Sequence, residues 1–286
     1  MQSIGVIGHG VLGSAIVRGF MEWADIKVFD VRKERATHSL AEAATCDIVF
    51  VALPTPAKPD GRCDTSAIDK FLEDAYANRW WEREACYVIR STIPVGHTKS
   101  LAEKYAWSRP LLHSPEFLTA RCAQTDFQCP ARNIIGDPHE WRYGENDVYW
   151  NAASLALRML YEKRFPGAPV HVMSSDASEL VKLACNSFFA SKVTLFNLFH
   201  DLAKARGLDW EDVRGGILSD GRIAHAHTLV PGNDGPGFSG TCLGKDTADL
   251  FHCCQEAGVD AALLREVIDR NRRSRPNDKL IDIRLP

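Results

Sequence analysis

Short, nearly unbroken apolar runs punctuate the first 173 residues: SIGVIG at 3–8, IKVF at 26–29, DIVFVALP at 47–54, CYVIRST at 86–92, RNIIG at 132–136 and VHVM at 170–173. Runs rich in Val and Ile without polar alternation are the mark of strands buried on both faces, as in parallel sheets. Between them, VLGSAIVRGFMEW, ERATHSLAEAAT, SAIDKFLEDAYA and TKSLAEKYAW space their apolar residues at helical intervals. Strand and helix in alternation predict a Rossmann-type, doubly wound parallel α/β sheet.

From residue 174 the pattern changes. Asp176 to Gly207 contains no internal proline or glycine, follows Ser174 and Ser175 as candidate N-caps, and stops at a glycine suited to a C-cap. The spacing predicts one long central helix of ~45 Å. A second helix is expected from Asp209, then an irregular stretch over 219–245, then two closing helices. The expected organisation is a nucleotide-binding α/β domain over 1–173 and an all-α domain over 174–286, without repeats or low-complexity segments.

Composition narrows the partners. A net charge of −3 with 25% charged residues over 286 positions describes an ordinary soluble chain and lacks the basic excess of a nucleic-acid binder. The apolar runs fall short of the ~18 residues a membrane span requires. Because SIGVIG begins within three residues of the N-terminus, there is no room for an export signal, and a cytoplasmic location is expected. The nine cysteines form no CxxC pair or Cys/His ligand spacing, so neither a disulfide framework nor a metal site is expected; Cys253 and Cys254 read as packing residues.

Candidate chemistry starts at GVIGHGVLGSAI. Gly8, Gly10 and Gly13 have the G-x-G-x-x-G spacing between a strand and a helix, where glycines admit a pyrophosphate and the helix start attracts it. Asp30 ends the second strand, where a carboxylate accepts from the ribose hydroxyls of NAD; Arg32, Lys33 and Arg35 follow and could instead meet the extra phosphate of NADP. ALPTP at 52–56 and STIPVG at 91–96 end later strands at the sheet's carboxyl edge. There Thr92 faces the cofactor or a water, or caps the next helix. In SPEFL, Glu116 is a carboxylate for chemistry or a helix cap.

On the long helix, Lys182 and Asn186 share a face. If that face is buried, desolvation lowers the lysine's pKa and suits it to proton transfer; otherwise it is a solvated lysine. Cys242 stands between Gly240 and Gly244 in GFSGTCLGKDTADL, with Lys245 three residues on. Asp246 opens D-T-A-D, a capping box that predicts a helix starting there, so Cys242 is expected just ahead of a helix dipole and near a cation, a setting that activates thiols.

Taken together, these motifs resemble the UDP-glucose/GDP-mannose dehydrogenase family. SGTCLGKD is similar to the family loop GGxCxPKD, ELVKLACN to ExxKxxxN, STIPVG to STxPVG, SPEFL to NPEFL and DGRI to DPRIG, in the same chain order. The resemblance spans the family's NAD domain and central helical domain. It implies a four-electron oxidation of a primary alcohol of a sugar or nucleotide sugar to a carboxylate with two NAD, and a homodimer through the long helix. Lys182 and Asn186, with water held by Thr92 and Asp246, would assist the first oxidation. Cys242 would capture the aldehyde as a thiohemiacetal and then carry the thioester, and Glu116 would help water hydrolyse it. The implied cofactor contacts are Gly8, Gly10, Val11, Leu12, Gly13, Asp30, Pro54, Thr55, Thr92 and Lys245. The implied substrate contacts are Glu116, Phe117, Leu118, Lys182, Asn186, Arg222, Phe238 and Gly240, with Arg222 reaching across the dimer.

The sequence departs from the family pattern at Gly244, where the family has proline, and at Thr119, Ala120 and Arg121, where it has a second glutamate. It also ends at Pro286 without the family's C-terminal nucleotide-binding domain, so a separate chain is a candidate to supply that surface. Two other readings remain: a two-electron β-hydroxyacid or sugar-phosphate dehydrogenase, which needs no thiol, and a non-catalytic NAD-binding protein.

Overall fold

The computed structural model describes residues 2–80, 86–105, 111–119, 121–139, 141–143, 147–149, 151–232, 234–276, 283 and 285. The chain forms two compact units, residues 1–55 with 64–182 and residues 56–63 with 183–286.

The first unit is built on a seven-stranded sheet. Its strands are β1 (Ser3–Ile7), β2 (Asp25–Phe29), β3 (Ile48–Val51), β4 (Cys86–Ile89), β5 (Leu111–His113), β6 (Asn133–Asp137) and, after a separate antiparallel pair β7 (Trp141–Tyr143) and β8 (Asp147–Tyr149), β9 (Val170–Ser174). The order is β2-β1-β3-β4-β5-β6-β9, parallel except for β5 against β6. This is the doubly wound Rossmann-type sheet that the apolar runs predict. Direction of winding reverses beside β1, which makes the carboxyl ends of β1 and β3 the place where such sheets receive ligands.

Side chains alternate across the sheet. Ile7, Val49, Val51, Tyr87, Ile89 and Leu111 face one core layer, closed by α2 (Leu40–Ala44), α3 (Ser66–Ala77) and α4 (His97–Lys104). Ile4, Val6, Phe50, Val88 and Leu112 face the other, closed by α1 (Val11–Phe20), α5 (Ala123–Gln128) and α6 (Ala152–Arg164). The stretch ERATHSLAEAAT completes a single 3-10 turn begun at Lys33 (Lys33–Arg35) and then forms the short α2, because Ser39 and Glu42 close a capping box there. Ala120 and the end of TKSLAEKYAW lie outside the described residues.

The long helix α7 runs Ser175–Ala205, 31 residues, or ~46 Å. It stops as its sequence demands: Gly207 takes φ +65, and the Leu208 and Gly207 amides return to the carbonyls of Ala203 and Lys204 at 2.9 and 3.2 Å. In the second unit, α8 (Trp210–Leu218) starts after Asp209, whose carboxylate accepts from the Glu211 and Asp212 amides. Then come α9 (Thr241–Glu256) and α10 (Ala262–Ser274).

One boundary differs from expectation. α9 begins at Thr241, five residues before Asp246, so Asp246 sits inside the helix and caps nothing. Gly240, at φ +78, turns the chain into the helix, and neither Gly244 nor any proline stops it from continuing. Cys242 is therefore in the first turn of α9, exposed, rather than in the loop ahead of it.

Residues 56–63, between β3 and α3, fold with the helical unit. His252 Nε2 is 2.7 Å from the Asp60 carbonyl oxygen, Arg62 pairs with Glu256, and the Cys63 amide donates to Asp249 Oδ1 at 2.8 Å.

Candidate functional site

In the first unit the β1–α1 turn is shaped for a phosphate. Gly8 has φ +96, and a Cβ on Gly13 would lie 1.9 Å from the Gly8 carbonyl oxygen, so only glycine permits this close crossing. Around Gly10 a Cβ would meet nothing within 4 Å, which leaves its approach open. Gly10 is the N-cap of α1 and offers no side chain to the helix amides. Val11 at the helix start is exposed, Leu12 is half-buried and packs against the core, Pro54 is exposed and Thr55 is half-buried.

Asp30 follows β2, and its two oxygens accept from the His9 amide at 2.7 Å and the Arg32 amide at 2.8 Å. Partial burial works to raise its pKa, yet those two amides and the charges of Arg35 and Arg32 prevail and lower it. The turn thus combines open backbone amides with a fixed carboxylate, and these residues fit the pyrophosphate and ribose of a dinucleotide.

Further along the same unit, Lys182 is 4% exposed and its Nζ lies 2.9 Å from Glu116 Oε1. The solvated-lysine alternative is thereby removed. Glu116 Oε2 accepts from the Leu118 amide at 2.6 Å, and the Phe117 ring stands 5.6 Å from the Lys182 ammonium and 4.1 Å from the Arg132 guanidinium. Thr92 is half-buried in the turn after β4. At the start of α4, where Thr92 was a candidate cap, the Gly96 and Thr98 amides donate instead to Glu179, at 2.6 and 2.9 Å. Glu179 opens the ELVKLACN stretch matched to ExxKxxxN, but the sequence assigns it no role; its place three residues before Lys182 puts the two on one helix face.

A second group lies within the helical unit. Asn186 Nδ2 donates to Asp246 Oδ2 at 2.5 Å, both residues being buried. Asp246 Oδ1 has an ionic contact of 2.6 Å with Lys245 Nζ. The expected neighbour of Lys245 was Cys242, but its ammonium turns inward and lies 3.8 Å from Cys63 Sγ. Burial pulls the Lys245 pKa down, and the charges of Asp246, Cys63 and Asp249 outweigh it and hold it well above that of an ordinary lysine. Asp249 is pushed up, chiefly by burial, against the Cys63 amide and Lys245. Nothing in the sequence pattern marks Cys63, and it reads Asp249 only as the end of the D-T-A-D box, because the two meet across 186 residues.

Cys242 is one helical turn from Asp246, on the same side of α9. Gly240 is the residue that admits the helix start, whereas Phe238 is 4% exposed and its amide is tied to Asn271 Oδ1 at 2.8 Å. Arg222 is exposed and forks onto Asp220, with Nε and Nη2 at 2.9 and 2.6 Å from its two oxygens. Among the described residues, no group of three His, Cys, Asp or Glu could hold a metal ion, and no helix is long and apolar enough to cross a membrane.

Comparison with known proteins gives matches on both halves. Residues 25–149 match the model for the UDP-glucose/GDP-mannose dehydrogenase family, NAD binding domain, and residues 176–273 match that for the family's central domain. The UDP-glucose 6-dehydrogenase of Pseudomonas aeruginosa is 33% identical over 258 residues, covering 86% of this chain and 53% of that protein. The UDP-glucose 6-dehydrogenase of Gallus gallus is 30% identical over 249 residues, covering 82% and 48%. The chain thus spans about half the length of the curated relatives it matches. Among solved structures, a UDP-glucose dehydrogenase from Pyrobaculum islandicum superposes with a TM-score of 0.81 at 25% identity, over 96% of this chain and 68% of that one. The Mycobacterium tuberculosis 3-hydroxyisobutyrate dehydrogenase shares the fold, with a TM-score of 0.73 at 19% identity over 98% of both chains.

Proposed function

The chain belongs to the UDP-glucose/GDP-mannose dehydrogenase family, and on that premise we propose that it oxidises a primary alcohol of a sugar or nucleotide sugar to the carboxylate with NAD, through a thioester on Cys242. The observation that carries this reading is the exposed Cys242 in the first turn of α9, one turn from a buried Asp246 that is bound to Asn186. A thiol so placed is open to attack on a substrate carbon.

NAD would be held by the Gly8–Gly13 turn, by the α1 amides and by Asp30, and when bound it supplies the hydride acceptor of each oxidation. Lys182 would donate to the alcohol oxygen and stabilise its negative charge, while the Glu116 carboxylate, 2.9 Å from Lys182 Nζ, accepts the alcohol proton and releases it to solvent before the hydrolytic step. Asn186 and Asp246, locked to each other, would fix the substrate oxygen or a water beside the reacting carbon. Cys242 Sγ adds to the aldehyde carbon, which keeps the half-oxidised product on the protein and leaves a tetrahedral carbon for the second oxidation. The Glu116 carboxylate then takes a proton from the water that cleaves the thioester.

The apolar side chains exposed along α7 support a homodimer through that helix, and the family resemblance favours Arg222 as a substrate contact from the partner copy. The decisive test is the NADH released per UDP-glucose consumed by purified protein in excess NAD. A yield of about two supports the four-electron reaction. A yield of about one, with a stable aldehyde product, returns the two-electron reading. NAD binding without turnover on any sugar alcohol returns the non-catalytic one.

A further inference from the structure

Glu179 is completely buried in the first unit, 0% exposed, on the stretch of α7 that also carries Lys182. Its carboxylate meets no Lys, Arg or His among the described residues. It is held instead by three donors at the start of α4: the Gly96 amide to Oε2 at 2.6 Å, the Thr98 amide to Oε1 at 2.9 Å and the Thr98 hydroxyl to Oε1 at 2.5 Å. A carboxylate without a cation is costly to bury, so the donors it gathers are its reason for standing there.

Two of those donors are orphan amides of a helix that lacks a side-chain cap of its own. Gly96 occupies the N-cap position at φ +87 and brings no side chain to it. Helices ordinarily solve this locally with Ser, Thr, Asp or Asn. Here the cap is borrowed from another element, and from the turn of α7 that also presents Lys182. The segment between β4 and α4, residues 91–96, is thereby fastened at both ends. At its start Ser91 Oγ donates to the Leu53 carbonyl oxygen at 2.6 Å, and at its end Glu179 holds Gly96. Thr92 lies between the two fastenings.

We propose that Glu179 is a positioning residue: by capping α4 from α7 it holds the turn of residues 91–96, and Thr92 within it, in fixed register with Lys182 for the oxidation of the alcohol. This rests on the function proposed above. The carboxylate touches neither substrate nor cofactor, and its effect reaches the reaction through the placement of Thr92 and Lys182 relative to each other. A misplacement of about 1 Å can cost on the order of a hundredfold in rate.

Three variants test it, with kcat and KM for UDP-glucose and NAD as readouts. Glu179→Gln keeps the shape but sets an amide group against a donor. Thr98→Val removes one donor and leaves the charge, and Thr98→Ser restores that donor. We expect Glu179→Gln to lower kcat by about tenfold to a hundredfold with both KM values nearly unchanged. Thr98→Val should lower kcat less, and Thr98→Ser should recover it. Wild-type kcat in Glu179→Gln, while hydrogen exchange shows the Gly96 and Thr98 amides opened, overturns the proposal. If Glu179→Gln fails to fold, wild-type kcat in Thr98→Val overturns it.

Should the wild-type chain release no NADH from UDP-glucose, the proposed function is what has failed. The clamp is then judged by the rate at which acetic anhydride acylates Lys182, read by mass spectrometry. A changed rate in Thr98→Val, restored in Thr98→Ser, supports it, and equal rates in all three proteins overturn it.

Discussion

Glu179 carries a charge whose cost depends on pH. Burial pushes its pKa up to about 7 from 4.5, although the Thr98 side chain and amide and the Gly96 amide pull the other way. Between those two values the folded chain keeps a proton that the unfolded chain has released. The stabilisation is therefore complete below about pH 4.5 and is lost as pH rises through about 7. A displacement of this size corresponds to about 3 kcal/mol. Urea unfolding at about pH 5 and about pH 8 should show the wild-type chain losing roughly that much more stability across the interval than Glu179→Gln. Equal losses in the two proteins would place the titration elsewhere. Cys242 gives the chemical counterpart: Cys242→Ala should form no carboxylate and release at most about one NADH per alcohol, read by product analysis. Carboxylate formed by that variant at the wild-type rate would end the thioester proposal. The residues that spacing can mark, Lys182, Asn186, Cys242 and Asp246, lie within two short motifs. Their partners were marked as well, but the pairing was not: Glu116 reaches Lys182 across 66 residues and Asp246 reaches Asn186 across 60, and no local periodicity encodes such distances.

At the scale of elements, the β1–α1 turn separates what folding needs from what binding needs. Gly13 is required by the fold, since a Cβ there would overlap the Gly8 carbonyl oxygen. Gly10 is not, since a Cβ there would meet no atom of the chain and its φ of −80 suits any residue. Gly13→Ala should accordingly lower both the melting temperature and NAD affinity. Gly10→Ala should leave the melting temperature near wild type and weaken NAD by about tenfold or more, measured by calorimetry, because the methyl group occupies the approach of the pyrophosphate. Unchanged NAD affinity in Gly10→Ala would dissociate this turn from the cofactor. Helix boundaries were legible where the capping chemistry is local, as at Asp209 and Gly207. They were misread at α9, because D-T-A-D has the composition of a capping box while Gly240, upstream, has the backbone conformation that starts the helix. The sequence reading also omitted α5, α6 and the β7–β8 pair; α6 does bury Ser154, Leu157 and Tyr161 at helical spacing, whereas α5 and the strand pair are too short to show a period.

For the whole molecule, the apolar runs foretold the doubly wound sheet because strands buried on both faces admit few polar residues, and the absence of proline and glycine between Asp176 and Gly207 marked α7 as long. What it left open is how much of that apolar surface the chain covers by itself. Ala190 and Phe196 are buried, but Phe188 is 64% exposed, Leu195 50%, Phe199 37% and Leu202 58%. Their spacing of seven, four and three residues gathers them on one side of the helix, and a stripe of this kind left to water favours association. A second copy placed across it would bury the same residues on both partners, as a two-fold interface requires. The double substitution Leu195→Glu with Leu202→Glu sets four carboxylates into that interface. At exposed positions in an isolated chain such changes cost only about 0.5 kcal/mol each, so the variant should remain folded by circular dichroism. Light scattering should find it monomeric where the wild-type chain is dimeric. Arg222 gives this prediction a consequence for catalysis. If it serves the partner's substrate, the folded monomer should also raise KM for UDP-glucose to the level of Arg222→Ala while binding NAD as the wild type does. A monomer with wild-type KM would leave Arg222 to its pairing with Asp220, and a variant that stays dimeric would move the interface off this face of α7.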